Sequence, residues 1–130
     1  MMNSSSISVM KVRDILLVTV PSDPDDATIN HLQDSVLDSM LQFESKGLIL
    51  DLTTVETVDS FFARTLIETA QMVTLMGGLT IIAGMRAGVA ITATELGLTL
   101  GNIVTALDVD RALDILDDSD SLQEGGPDDQ

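Results

Sequence analysis

The sequence contains no cysteine, tryptophan or tyrosine, and one histidine. Without thiols there is no disulfide and no thiolate metal site, which fits a reducing compartment. Aromatic residues are limited to Phe43, Phe61 and Phe62, so stacking on nucleobases has almost no raw material. Bases are nearly as scarce. Six Lys and Arg face 21 Asp and Glu, for a formal charge of −15, and both a nucleic-acid backbone and an anionic membrane surface would be repelled. The longest apolar runs, such as Ile15-Leu16-Leu17-Val18, are of strand length, far below the roughly 20 residues that span a bilayer. The leading Met1-Met2-Asn3-Ser4-Ser5-Ser6 lacks the basic and apolar regions of a signal peptide. These absences predict a soluble, cytoplasmic protein with no nucleic-acid or membrane partner.

What is present suits one packed domain. The 130 residues are 45% apolar, and the apolar side chains are almost all aliphatic. The charge is uneven: residues 108–130 carry nine acids and one base, Arg111, so the preceding part is only moderately acidic. Seven methionines read as core filling. The sequence predicts a domain over residues 1–116 and an acidic tail over 117–130, rich in Gly, Ser and Asp, that is expected to be disordered.

Within the domain, residues 7–12 and 15–20 are β-branched, apolar runs separated by Arg13-Asp14, a hairpin pattern. A turn cluster, Pro21-Ser22-Asp23-Pro24-Asp25-Asp26, offers several helix caps. Over 27–44, Ile29, Leu32, Val36, Met40 and Phe43 recur at helical spacing, and Lys46-Gly47 is expected to close that helix. Residues 48–52 are a nearly continuous apolar run, the mark of a buried parallel strand. A second helix is predicted over 60–76 on the stripe Phe62, Leu66, Ala70 and Val73, with Gly77-Gly78 as its stop. A strand over 79–83, a helix over 87–96, a short strand over 103–106 and a last helix capped by Asp108 follow. Two strands followed by repeated helix–strand units predict an α/β domain. Its sheet would be mixed, mostly parallel and of about four to five strands, with the helices packed on one face.

Chemistry is best sought at Asp59-Ser60-Phe61-Phe62, where a strand run gives way to a helix. The first N–H groups of a helix have no internal partner, and together with the helix dipole they favour added negative charge. Ser60 at that point reads as a phosphate acceptor, with Asp59 beside it and Arg64 one turn along the same face. The alternative is a plain N-cap by Asp59 or Ser60. Two successive phenylalanines so early in a helix are hard to bury together, which makes Phe61 and Phe62 candidates for docking a partner. A nucleophilic enzyme would need a base near Ser60. His31 sits among Asn30, Gln33 and Asp34, and no Gly-x-Ser-x-Gly elbow is present. No catalytic residue is assigned. Asp23, Asp25 and Asp26 resemble the start of a calcium loop but lack its Gly and terminal Glu, so no metal or cofactor is called. Gly84-Met85-Arg86-Ala87-Gly88 lacks the Lys-Ser/Thr of a phosphate-binding loop and reads as a tight connection.

The order of elements, together with Gly47-Leu48-Ile49-Leu50-Asp51-Leu52, Val58-Asp59-Ser60 and Leu79-Thr80-Ile81-Ile82-Ala83-Gly84, resembles the STAS domain family over about residues 7–116. Asp59-Ser60-Phe61-Phe62-Ala63, Leu75-Met76-Gly77, Val89-Ala90-Ile91-Thr92, Glu95-Leu96-Gly97 and Thr105-Ala106-Leu107-Asp108 are similar to its RsbS-type stressosome branch. The resemblance implies a non-enzymatic scaffold. It would assemble in a large homo- and hetero-oligomer with sensor-type, RsbR-like STAS paralogues and hold an RsbT-like switch serine kinase. Phosphorylation of Ser60 would release the kinase, and a phosphatase would reset the site. The family's stand-alone anti-sigma factor antagonists form the alternative. They carry small residues and a glycine after the serine, where this chain has Phe61-Phe62-Ala63-Arg64.

Overall fold

The computed structural model describes residues 7–97 and 103–125. Strands β1 (Ser8–Val12) and β2 (Ile15–Thr19) form an antiparallel hairpin in the register Val12↔Ile15. Arg13 takes the left-handed conformation (φ 54°) that a two-residue reversal of this kind demands. Helix α1 (Asp26–Phe43) then crosses to β3 (Gly47–Asp51), α2 (Ser60–Leu75) to β4 (Leu79–Ala83), and α3 (Ala87–Glu95) to β5 (Val104–Ala106). These crossovers make β2 to β5 parallel, and the strands lie in chain order across one five-stranded sheet. Helix α4 (Val109–Gly125) ends the described chain.

Alternation along the strands divides the interior in two. Leu16, Val18, Leu48, Leu50 and Ile82 face α1, α2 and α3, meeting Ile29, Leu32, Val36, Phe62, Leu66, Val73 and Val89. Ile15, Ile49, Ile81 and Ala83 face the other way, onto Ala112 and Leu116 of α4. The three crossover helices therefore share one face, as right-handed connections require. Helix α4 links no further strand among the described residues and covers the opposite face. Leu48, Ile49 and Leu50 of β3 are each completely buried because both faces of that strand are covered.

Two terminations differ from expectation. α1 is closed by Glu44, which adopts the left-handed conformation (φ 50°) and returns its N–H to the Met40 carbonyl. Lys46-Gly47 has other work: the Lys46 N–H bonds the Asp14 carbonyl at 2.8 Å, and Gly47 already opens β3. A Cβ on Gly47 would sit 2.9 Å from Leu116, so the glycine serves packing against α4. Secondly, α4 stays helical from Asp117 to Gly125, where an irregular acidic tail was expected. Its sequence has no Pro or Gly before Gly125 to break the backbone, and Asp117 pairs with Arg13 at 3.3 Å. Residues 126–130 of the expected tail lie outside the described residues.

Two buried hydroxyls, of Ser45 and Thr80, lack a partner among the described residues. The Thr80 hydroxyl, on a residue 2% exposed, makes no hydrogen bond among the described residues. Thr80→Val removes that hydroxyl at nearly constant shape. It is expected to raise stability by about 1 kcal/mol, seen as a higher urea midpoint at unchanged slope. A second prediction concerns Asp25, the cap of α1. Its carboxyl is held below the usual 3.8 by the Thr28 hydroxyl first and the Thr28 N–H next, the latter at 2.8 Å. A carboxyl depressed by folding contributes stability above its unfolded pKa and loses it as pH falls. Melting temperatures of the native chain and Asp25→Asn should therefore converge as pH drops from about 6 to about 3.

Candidate functional site

The segment between β3 and α2 is fixed on both flanks before it reaches Ser60. On one side the Glu56 N–H bonds the Ser22 carbonyl at 3.0 Å, the Thr54 hydroxyl donates to the Val20 carbonyl, and the Thr57 hydroxyl donates to Asp23. On the other side Arg86 Nε donates to the Thr53 carbonyl at 2.9 Å. Gly84 makes that approach possible: it has φ 76°, and a Cβ there would collide with the Thr53 hydroxyl. Asp51 accepts from both the N–H and the hydroxyl of Thr53, and Val55 is fully buried beneath the loop. The glycine and arginine after β4 thus form a clamp on the loop. Of the three acids of the calcium-like run, Asp25 caps α1, Asp26 lies in its first turn and Asp23 holds Thr57, so each already has a structural place.

The loop delivers Asp59 as the N-cap of α2. Its backbone is extended (φ −111°, ψ 179°), its side chain accepts the Phe62 N–H at 2.8 Å, and its carbonyl accepts the Ala63 N–H at 3.0 Å. Asp59 therefore does the capping and leaves the Ser60 hydroxyl without a bond among the described residues. Ser60 is the first helical residue and is exposed. Its own N–H and that of Phe61 point along the helix axis with no acceptor among the described residues. Arg64, one turn later, is exposed and makes no side-chain ion pair among the described residues. The site thus combines a free hydroxyl, two open donors, the positive end of a helix dipole and an available guanidinium.

The phenylalanine pair separates. Phe62 is 2% exposed and among the largest fully buried side chains, so it is part of the core and has no surface to give a partner. Its position on the stripe with Leu66, Ala70 and Val73 forces that outcome. Phe61, a helical step aside, is half-buried against the core edge. In its place the fold brings Ile67, Leu96 and Gly97, which were not picked from the sequence, beside Ser60 and Arg64, which were. Ser60, Arg64 and Ile67 lie along one face of α2 beside Leu96 and Gly97 at the end of α3, around an open groove of about 370 Å³. The spacing of Ile67, seven residues after Ser60, was a legible signal; the arrival of Leu96 from α3 had none. His31 is exposed on α1, and its ring nitrogen lies 3.4 Å from the Ser35 hydroxyl, with no described contact to Ser60. A larger cavity of about 530 Å³, lined by Arg13, Lys46, Gly78 and Leu116, lies at the opposite ends of the strands.

Comparison with known proteins agrees with this geometry. The family model described as STAS domain matches residues 6–112. A solved serine-to-glutamate variant of Moorella thermoacetica RsbS is 32% identical, covers 90% of this chain and 99% of its own, and superposes with a TM-score of 0.80. A chain from a structure of the stressosome, described as a signal integration and transduction hub, is 31% identical, covers 86% and 97%, and gives a TM-score of 0.73. The RsbT co-antagonist protein RsbRA of Bacillus subtilis (strain 168) is 28% identical over 74 residues, 57% of this chain. The chain spans 27% of that relative's length. Among the described residues no helix is long and apolar enough to cross a membrane.

The cap can be tested separately from the hydroxyl. Asp59→Ala should lower stability by about 1 kcal/mol in urea unfolding, and Asp59→Asn, which keeps an acceptor, should restore most of it.

Proposed function

The chain belongs to the STAS domain family, and on that premise we propose that it is a non-enzymatic scaffold of a stressosome-type assembly controlled by phosphorylation of Ser60. The observation that carries this reading is the division of labour at the start of α2. Asp59 caps the helix, so the exposed Ser60 hydroxyl is spare. No base that could make it a nucleophile contacts it among the described residues. A phosphate there would add about −1.5 to −2 charge at pH 7. Asp59 opposes that charge, whereas the helix terminus, the open N–H groups and Arg64 attract it. The balance lets the modification change the surface without unfolding the domain.

The partners follow from the likenesses. A relative that is a co-antagonist of RsbT supports an RsbT-like serine kinase as the protein held and released. The stressosome chain supports sensor-type, RsbR-like STAS paralogues as co-assembling subunits, and a phosphatase would reset Ser60. Docking of the kinase falls to the groove along Ser60, Arg64, Ile67 and Leu96, and to the half-buried Phe61 next to Ser60 in the chain. New charge on Ser60 would be felt there at once. Such an assembly operates in the cytoplasm.

The expected outcome is one phosphate on Ser60 after incubation with the cognate kinase and ATP, mapped by mass spectrometry, with Ser60→Ala left unmodified. Full phosphorylation of Ser60→Ala would sink the reading. Ser60→Glu should reduce kinase retention in pull-down by at least about tenfold, equivalent to about 1.4 kcal/mol. Co-elution with a sensor-type paralogue as a large particle is expected. A small one-to-one complex with an anti-sigma kinase would instead assign the chain to the stand-alone antagonists.

A further inference from the structure

The groove beside Ser60 carries two charges that the fold leaves unused. Ser60, Arg64, Ile67 and Glu68 share one face of α2, and Leu96, 43% exposed at the end of α3, forms the other wall. Arg64 and Glu68 are one turn apart, yet neither makes an ion pair or a side-chain hydrogen bond among the described residues. Their order explains why. A base that precedes an acid is the weaker arrangement for such a pair, and a base near a helix start opposes the dipole. Other cations of the domain do serve the fold: Lys11 lies over the Phe43 ring at 5.3 Å, Arg13 pairs with Asp117, and Arg86 holds the Thr53 carbonyl. Arg64 gives the fold little, and its charge is available to something outside it.

The lining sets what fits there. Ile67 and Leu96 supply apolar surface, and Arg64 and Glu68 supply one charge of each sign beside it. The complement is an amphipathic segment with aliphatic side chains, a carboxylate for Arg64 and a base for Glu68. A uniformly basic segment, which the net −15 of the chain would attract, meets repulsion at Arg64. A uniformly acidic one is repelled by Glu68 and by Asp59. Phosphate on Ser60 changes this match. Transfer of the γ-phosphoryl group of ATP to Ser60 Oγ releases ADP and the hydroxyl proton. The new group stands one turn before Arg64 on the same face, within reach of its guanidinium. It carries about −1.5 to −2 charge, so it outcompetes a singly charged carboxylate for that guanidinium.

We infer that Arg64 is contested: it pairs with a carboxylate on an amphipathic segment of the kinase, and the Ser60 phosphate releases that segment by taking Arg64 for itself. The inference rests on the phosphorylation-controlled scaffold reading and adds to it the chemistry of the partner's contact and of its release. The test is calorimetric titration of the full chain with the cognate kinase and ADP, which cannot donate a phosphoryl group, before and after phosphorylation of Ser60. Arg64→Gln should weaken binding of the unphosphorylated chain at least about tenfold, whereas Arg64→Lys, which keeps the charge, should retain most of it. The melting temperature of Arg64→Gln should not fall, because the native side chain is exposed and unpaired among the described residues. Phosphorylation should weaken the native complex at least about tenfold but the Arg64→Gln complex by no more than about threefold, since the residue it competes for is gone. Glu68→Gln should weaken binding and keep the full effect of phosphate; loss of that effect would overturn the assignment to Arg64. Full binding by Arg64→Gln, or additive losses from the substitution and the phosphate, would overturn it too. Mass spectrometry of the same samples separates the two readings. If Ser60 is phosphorylated and the phosphate displaces the kinase equally from Arg64→Gln and the native chain, the contest falls and the proposed function stands. If Ser60 takes no phosphate, both fall.

Discussion

The burial of β3 on both faces is the constraint from which the rest of the structure follows. Leu48 and Leu50 need apolar cover on one side and Ile49 on the other. A parallel neighbour on each edge satisfies its backbone, and helices on each side satisfy its side chains. Once the crossover helices occupy one face, α4 is left to cover the other. The chain that leaves β3 must then turn back over the sheet edge, which sets the loop carrying Thr53 to Asp59 between its two neighbouring loops. Ser60 is held in place by hydrogen bonds distributed over three connections.

At the end of that loop one residue type does what two adjacent polar residues might have shared. The Asp59 carboxylate satisfies the Phe62 N–H, and capping by the aspartate frees the serine. A cap that used Ser60 would tie the hydroxyl to the backbone and bury its chemistry in local structure. The dipole, the open N–H groups and Arg64 then make the freed hydroxyl a place where new negative charge is tolerated. The two ends of the molecule are physically unlike: one offers a polar, cation-bearing helix start, the other exposes leucine and methionine side chains.

Much of this was legible because local rules and tertiary packing agree. The stripe Phe62, Leu66, Ala70 and Val73 specifies which side of α2 is buried, and Gly77, at φ 92°, stops that helix as its sequence position suggests. The hairpin at Arg13-Asp14 and the parallel run at β3 were likewise plain from residue type and alternation. The misreadings came where a residue had two possible uses. Gly47 looked like a helix stop, but it is a strand residue that makes room for Leu116, and Glu44 accepts the left-handed turn instead. Phe61 and Phe62 looked equivalent as neighbours. A helical step of 100° sends one into the core and leaves the other at its rim.

The sequence by itself determined the class of fold, the order of its elements, the family and the position of the serine. Each is encoded in periodicity, turn residues and charge over short stretches of chain. Only the tertiary structure decided that Asp59 is the cap and Ser60 the spare hydroxyl, that Phe62 is core, that Leu96 reaches the groove beside Arg64, and that α4 covers the far face. Those outcomes depend on which distant side chain occupies the adjoining space, and one-dimensional spacing carries no record of that.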